Sequence, residues 1–138
     1  MGDSNAAAPA LWWGSVTDTY GTGLSHSRGG KEYCAALGTL GFVNNSSRYS
    51  NNLASTMSRT INLAPYTYAN LRFWDYLPSI GAGDLWRTYM GSTILVSTAT
   101  TNAGWTERRL SLNSFLGASP LLRFVFTSDG SGTAEGLY

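Results

Sequence analysis

Ala69, Leu71 and Phe73 fall on one side of an extended chain and Asn70, Arg72 and Trp74 on the other, which is the two-residue period of a strand. Comparable alternation or short apolar runs recur at 92–97, 108–112 and 121–126, each set off by Gly, Asn, Ser or Pro. Residues 31–37 and 57–63 read the same way, and Pro65 stops the second of them. Residues 86–97 read as one long strand with a bulge or bend at Gly91 and Ser92. A helical turn is expected only at 114–117. The pattern therefore predicts an all-β protein, an antiparallel jelly-roll β-sandwich of about seven to nine strands with little helix.

A chain of 138 residues fits one domain and can bury a core without disulfides or metal. Residues 1–10 are small, polar and rich in Ala and Pro, so they are expected to form a flexible N-terminal segment ahead of a single domain at 11–138. The stretch from Gly38 to Asn52 reads as a long surface loop anchored by Phe42 and Tyr49. Loops of that length carry function or close an open end of a sandwich.

Only 12% of residues are charged, about half the usual share, and nine Lys plus Arg against eight Asp plus Glu leave a net charge of +1. Such a balance provides no field to draw in phosphate backbones or anionic lipid, so nucleic acid is an unfavoured partner. The longest uncharged stretches are broken by Gly and Asn and rich in Ser and Thr, so membrane insertion is not expected either.

Candidate reaction chemistry is sparse. Cys34 is the single cysteine and His26 the single histidine, so every serine or cysteine nucleophile scheme depends on one imidazole in a Gly/Ser-rich loop. Gly14-Ser15 and Gly91-Ser92 do not sit in a Gly-x-Ser-x-Gly elbow. The carboxylates are spread over separate elements without a recognisable pair. The expectation is a protein that is not an enzyme.

Five Trp and eight Tyr favour recognition instead, because aromatic faces stack on the apolar faces of sugars while Asn and Arg bond the hydroxyls. Trp74 and Trp105 lie within strand patterns and are assigned to packing. Trp86 and Arg87, in a Gly-rich approach, together with Tyr49 and Asn51, are the candidate ligand-binding residues, carried by loops 38–52 and 78–88. Calcium is the cation that the oxygen-rich loops could hold without a compact motif, and Asp18, Asp84 and Asp129 are its candidate ligands.

The order of several segments resembles that of bacterial extracellular jelly-roll modules related to the MAM and immune-inhibitor-A accessory domains. Leu11-Trp12-Trp13 followed by His26-Ser27-Arg28-Gly29-Gly30 is similar to an early aromatic segment and a His-Ser-Gly turn. Thr60-Ile61-Asn62-Leu63 followed by Leu71-Arg72-Phe73-Trp74 resembles a paired-strand element, and Ile94-Leu95-Val96-Ser97-Thr98 with Gly104-Trp105-Thr106 resembles a hairpin. Leu122 to Asp129 and Glu135-Gly136-Leu137-Tyr138 resemble the last strands.

The resemblance implies a noncatalytic accessory or adhesion module of a larger protein, secreted or at a cell surface, binding carbohydrate or a protein surface, with calcium in a structural role. Related modules continue past the Gly-x-Tyr element into an acidic strand, whereas this sequence stops at Tyr138. A shortened final strand is therefore expected, open to strand exchange with a partner or to homo-oligomer formation. A purely structural or assembly domain is the alternative function.

Overall fold

A computed structural model describes residues 2–5, 12–16, 32–37, 49, 51–134 and 136–138, the first three stretches as backbone. The strands are β1 (Gly2–Asn5), β2 (Trp12–Val16), β3 (Glu32–Leu37), β4 (Ala54–Thr60), β5 (Asn70–Asp75), β6 (Leu85–Met90), β7 (Thr93–Thr98), β8 (Thr106–Ser111) and β9 (Leu121–Thr127). Helical structure among the described residues is confined to a single 3₁₀ turn at Asn113–Phe115, where a helical turn is expected. The described residues are all-β.

The packed body consists of two antiparallel sheets, one ordered β4-β9-β6-β7 and the other formed by β5 and β8. Phe73 of the smaller sheet packs edge-on against Trp86 and Phe124 of the larger, at centroid separations of 6.0 and 5.1 Å. Two layers joined through such a shared interior are the arrangement of a β-sandwich. β1 lies antiparallel to β4, while β2 and β3 pair with each other.

Alternation decides which side chains enter the core. On β6, Trp86, Thr88 and Met90 are buried while Leu85, Arg87 and Tyr89 are half-buried on the outer face. Leu122 and Phe126 of β9 and Ser55 and Met57 of β4 point inward with them. One cluster gathers Tyr49, Leu53, Met57, Leu77, Trp86 and Phe126. A second gathers Leu63, Met90, Leu112 and Leu122, and Phe124 packs against both. Ser55 and Thr88 are fully buried, and neither hydroxyl has a hydrogen-bond partner among the described residues.

Two boundaries differ from the sequence pattern. Residues 86–97 are not one bent strand: β6 and β7 form a hairpin in which Met90 faces Thr93 across Gly91 and Ser92. Gly91 adopts φ 61°, a left-handed conformation that glycine reaches without steric cost and that tight hairpins require. The strand expected at 57–63 begins earlier, at Ala54, and ends at Thr60. The chain then leaves the ladder to bond with the 117–120 loop, Ile61 N–H donating to Pro120 O at 3.0 Å and Leu63 N–H to Ala118 O at 2.9 Å.

Candidate functional site

Because β4 and β6 run antiparallel to β9, the start of β4, the start of β6 and the end of β9 share one end of the larger sheet. Here Tyr49, the 78–84 loop and the 128–134 loop meet. The Tyr49 hydroxyl donates to Asp84 Oδ2 and accepts the Gly81 N–H at 2.6 Å. Asp84 Oδ1 accepts the Asp129 N–H at 2.8 Å, and Asp129 Oδ1 accepts the Ser131 N–H at 2.8 Å. Asn51 Nδ2 donates to Gly130 O at 3.1 Å. A side chain at Gly81 would overlap the Gly132 carbonyl and the Asp84 carboxylate, so the loops approach each other through glycine.

Tyr49 is 3% exposed and Asp84 fully buried. Burial, first, and the bond to Asp84, second, push the Tyr49 phenol well above the ordinary tyrosine range, so it stays a neutral donor. This chemistry is that of a loop clamp. Both Asp84 oxygens are occupied by protein donors, and among the described residues no three His, Cys, Asp or Glu side chains converge on a point. Asp84 and Asp129 thus come together as linked loop anchors. Asp18, His26 and the 38–48 part of the long loop lie outside the described residues.

A second polar knot sits at the same end. The Arg108 guanidinium holds Asp75 through Nε at 2.5 Å and Nη2 at 3.1 Å, which keeps the guanidinium firmly protonated. Asn102 Nδ2 reaches the same carboxylate at 3.1 Å while Asn102 Oδ1 accepts the Leu77 N–H at 2.5 Å. Glu107 takes Arg109 on Oε2 and Arg72 on Oε1, and the Arg109 bond, foremost, holds it below the usual carboxylate range.

The proposed ligand set is redistributed by these positions. Trp86 is 0% exposed, a correction to its reading as an exposed contact residue. The physical reason is strand geometry: consecutive residues face opposite sides, so Trp86 enters the core while Arg87 lies on the outer face opposite Val125 and Ser97. They do not share a binding surface. Tyr49 is likewise a buried anchor, and Asn51, although exposed, is tied to the 130 carbonyl.

Exposed aromatic surface is found at the other end of the sheet. Tyr66 and Tyr68 are 59% and 64% exposed, on a loop where residues 64–68 are all exposed. The loop is fixed at both feet. Leu63, buried, bonds to Ala118 and Gly117, and Ala69 receives the Leu112 N–H at 2.9 Å while donating to Asn113 Oδ1 at 3.0 Å. Asn62 Oδ1 accepts the Ala64 N–H at 3.0 Å, Tyr66 N–H closes a turn onto Leu63 O at 3.3 Å, and Asn70 Nδ2 donates to the Tyr68 hydroxyl at 2.5 Å. The sequence signal for this site was two tyrosines in a turn just after Pro65, outside any strand period.

The fold and this surface define an all-β sandwich that displays an exposed aromatic loop hydrogen-bonded at both feet. No protein-family model matches the chain, and no curated protein matches it.

Proposed function

We propose that the chain is a noncatalytic accessory or adhesion module of a larger extracellular protein, secreted or at a cell surface, that binds carbohydrate or a protein surface. Its architecture in this reading is a jelly roll of about seven to nine strands related to the MAM and immune-inhibitor-A modules. The observation that carries the reading is the pair of exposed tyrosines on a loop secured at both feet. Large aromatic side chains held in place before a ligand arrives lose little conformational entropy on binding. The carboxylates of Asp75, Asp84, Glu107 and Asp129 are each engaged in structural bonds, which also favours recognition over acid–base work.

The test is saturable binding of the fluorescently labelled chain to intact bacterial, fungal and animal cells. Binding to at least one cell type is expected, and its absence from all of them would overturn the reading.

A specific observation favours a second reading, a structural or assembly domain. Tyr76 and Tyr138 exchange both main-chain hydrogen bonds, at 3.0 and 2.9 Å, and the Gly136 N–H donates to Ser79 O at 3.0 Å. The 136–138 segment thus runs antiparallel to the chain leaving β5. In this reading a strand from a partner or a second copy extends that pairing. Light scattering at increasing concentration should then show dimers or larger species, and a monomer throughout removes self-assembly as the role.

A further inference from the structure

At the end of the sandwich that carries Tyr66 and Tyr68, the two segments that frame the tyrosine loop, 60–71 and 110–122, contain no charged residue, and the β6–β7 turn completes the end, its Gly91 N–H bonded to Leu121 O at 2.8 Å and its Gly91 O holding Arg123 Nη2 at 2.9 Å. The hydrogen bonds between Ile61 and Pro120, Leu63 and Ala118, and Ala69 and Leu112 join them into one surface. The acidic knots around Asp75 and Asp84 lie at the opposite end. The two segments that carry the tyrosines and their anchors thus offer phosphate, acidic polymers and electrostatically steered protein partners no charge of their own.

What the tip offers is aromatic surface beside amide and hydroxyl groups. Asn62 commits Oδ1 to the Ala64 N–H and to the Ser119 hydroxyl, at 3.0 and 3.3 Å. Asn113 commits Oδ1 to the Ala69 N–H. Each amide is therefore oriented by its oxygen, and among the described residues neither Nδ2 group has an acceptor. Both residues are exposed, so two pre-aimed donors flank the tyrosine loop. The Tyr66 hydroxyl is likewise uncommitted among the described residues. Two residues apart, the tyrosine Cα atoms are at most about 7 Å from each other, so a single short ligand can span both.

We infer that this tip is a binding site for a neutral saccharide, in which Tyr66 and Tyr68 stack on the apolar faces of the sugar while Asn62 Nδ2 and Asn113 Nδ2 donate to its oxygens. Neutral sugars combine apolar ring faces with uncharged hydroxyls and need no counter-charge, which matches a surface of aromatics, amides and hydroxyls. The inference rests on the binding-module reading and assigns it a place and a ligand chemistry.

The experiment is affinity gel electrophoresis of the full chain through gels containing β-glucan, xyloglucan or galactomannan, with polygalacturonate and alginate as acidic controls. The wild-type chain should be retarded by at least one neutral polysaccharide and by neither acidic one. Tyr66→Ala and Tyr68→Ala should each weaken that retardation, and the double variant should lower affinity at least about tenfold. Tyr66→Phe, which keeps the ring, should retain most of the affinity. Unchanged circular dichroism and melting temperature show that the variants are folded. Retardation by no neutral polysaccharide, or by the acidic ones alone, overturns the inference. Retardation that survives the double variant also overturns this site, and cell binding by the same variant would show that the module reading stands without it.

Discussion

Arg108 on β8 grips the carboxylate of Asp75 on β5 through two nitrogens, although Asp75 faces Thr106 in the strand register and Arg108 faces Phe73. The bond is a diagonal across the smaller sheet, and Asp75 is only 2% exposed. With Asn102 on the same carboxylate, it ties the 99–105 loop to the end of β5.

Arg108→Ala should leave a buried carboxylate held by Asn102 alone. The loss expected is about 2–4 kcal/mol, somewhat below that for a fully buried pair because the arginine is partly solvated. Urea unfolding measures it, and a change below about 0.5 kcal/mol, the size of an ordinary surface substitution, would show that the contact is not structural.

Tyr49 makes stability sensitive to alkali. Its phenol has a raised pKa in the folded protein, so its contribution is fully present below the unfolded tyrosine value, near 10, and is lost as pH rises from there toward the folded value. Tyr49→Phe removes a donor to buried Asp84 and an acceptor for the Gly81 N–H, and should cost about 1–3 kcal/mol at neutral pH. Melting temperatures followed from pH 7 to pH 12 should show the gap between wild type and variant closing above about pH 10. A gap that stays constant contradicts the assignment.

Trp86 and Tyr68 should separate stability from surface. Trp86→Ala empties the centre of the larger cluster and is expected to cost about 3–5 kcal/mol, whereas Tyr68→Ala, at a 64% exposed position, should stay within about 1 kcal/mol of wild type. Guanidinium titrations of the two variants decide it, and similar midpoints would contradict the burial of Trp86.

Thr88 offers the reverse experiment. Its hydroxyl is fully buried on β6 without a partner among the described residues, so Thr88→Val keeps the shape and removes an unpaired polar atom. A gain of about 1 kcal/mol is expected from chemical denaturation. A loss of that size would mean the hydroxyl is bonded after all.

Local pattern was enough for five of the strands. The positions of β3, β5, β7, β8 and β9 follow from period-two alternation and from the Gly, Pro and Asn residues between strands, because both act over neighbouring residues. The turn at 113–115 was legible for the same reason. The hairpin at Gly91 was less so, since a glycine within an apolar run is compatible with a bulge, a bend or a turn, and only the pairing of Met90 with Thr93 selects among them.

The sequence by itself determined that this chain is made of strands, that it carries little charge, and that it is rich in aromatic rings. Tertiary structure alone decided which rings are inside. Leu85 to Met90 place apolar or aromatic groups on both faces, so the side that becomes the core depends on which partner sheet covers it, and the covered side holds Trp86 while Arg87 stays out. Likewise, the separation of the buried Tyr49–Asp84 clamp from the exposed tyrosine loop follows from antiparallel pairing of β4, β6 and β9, which sends residues far apart in sequence to the same or opposite ends. Such contacts join positions tens of residues apart, and no local period encodes them.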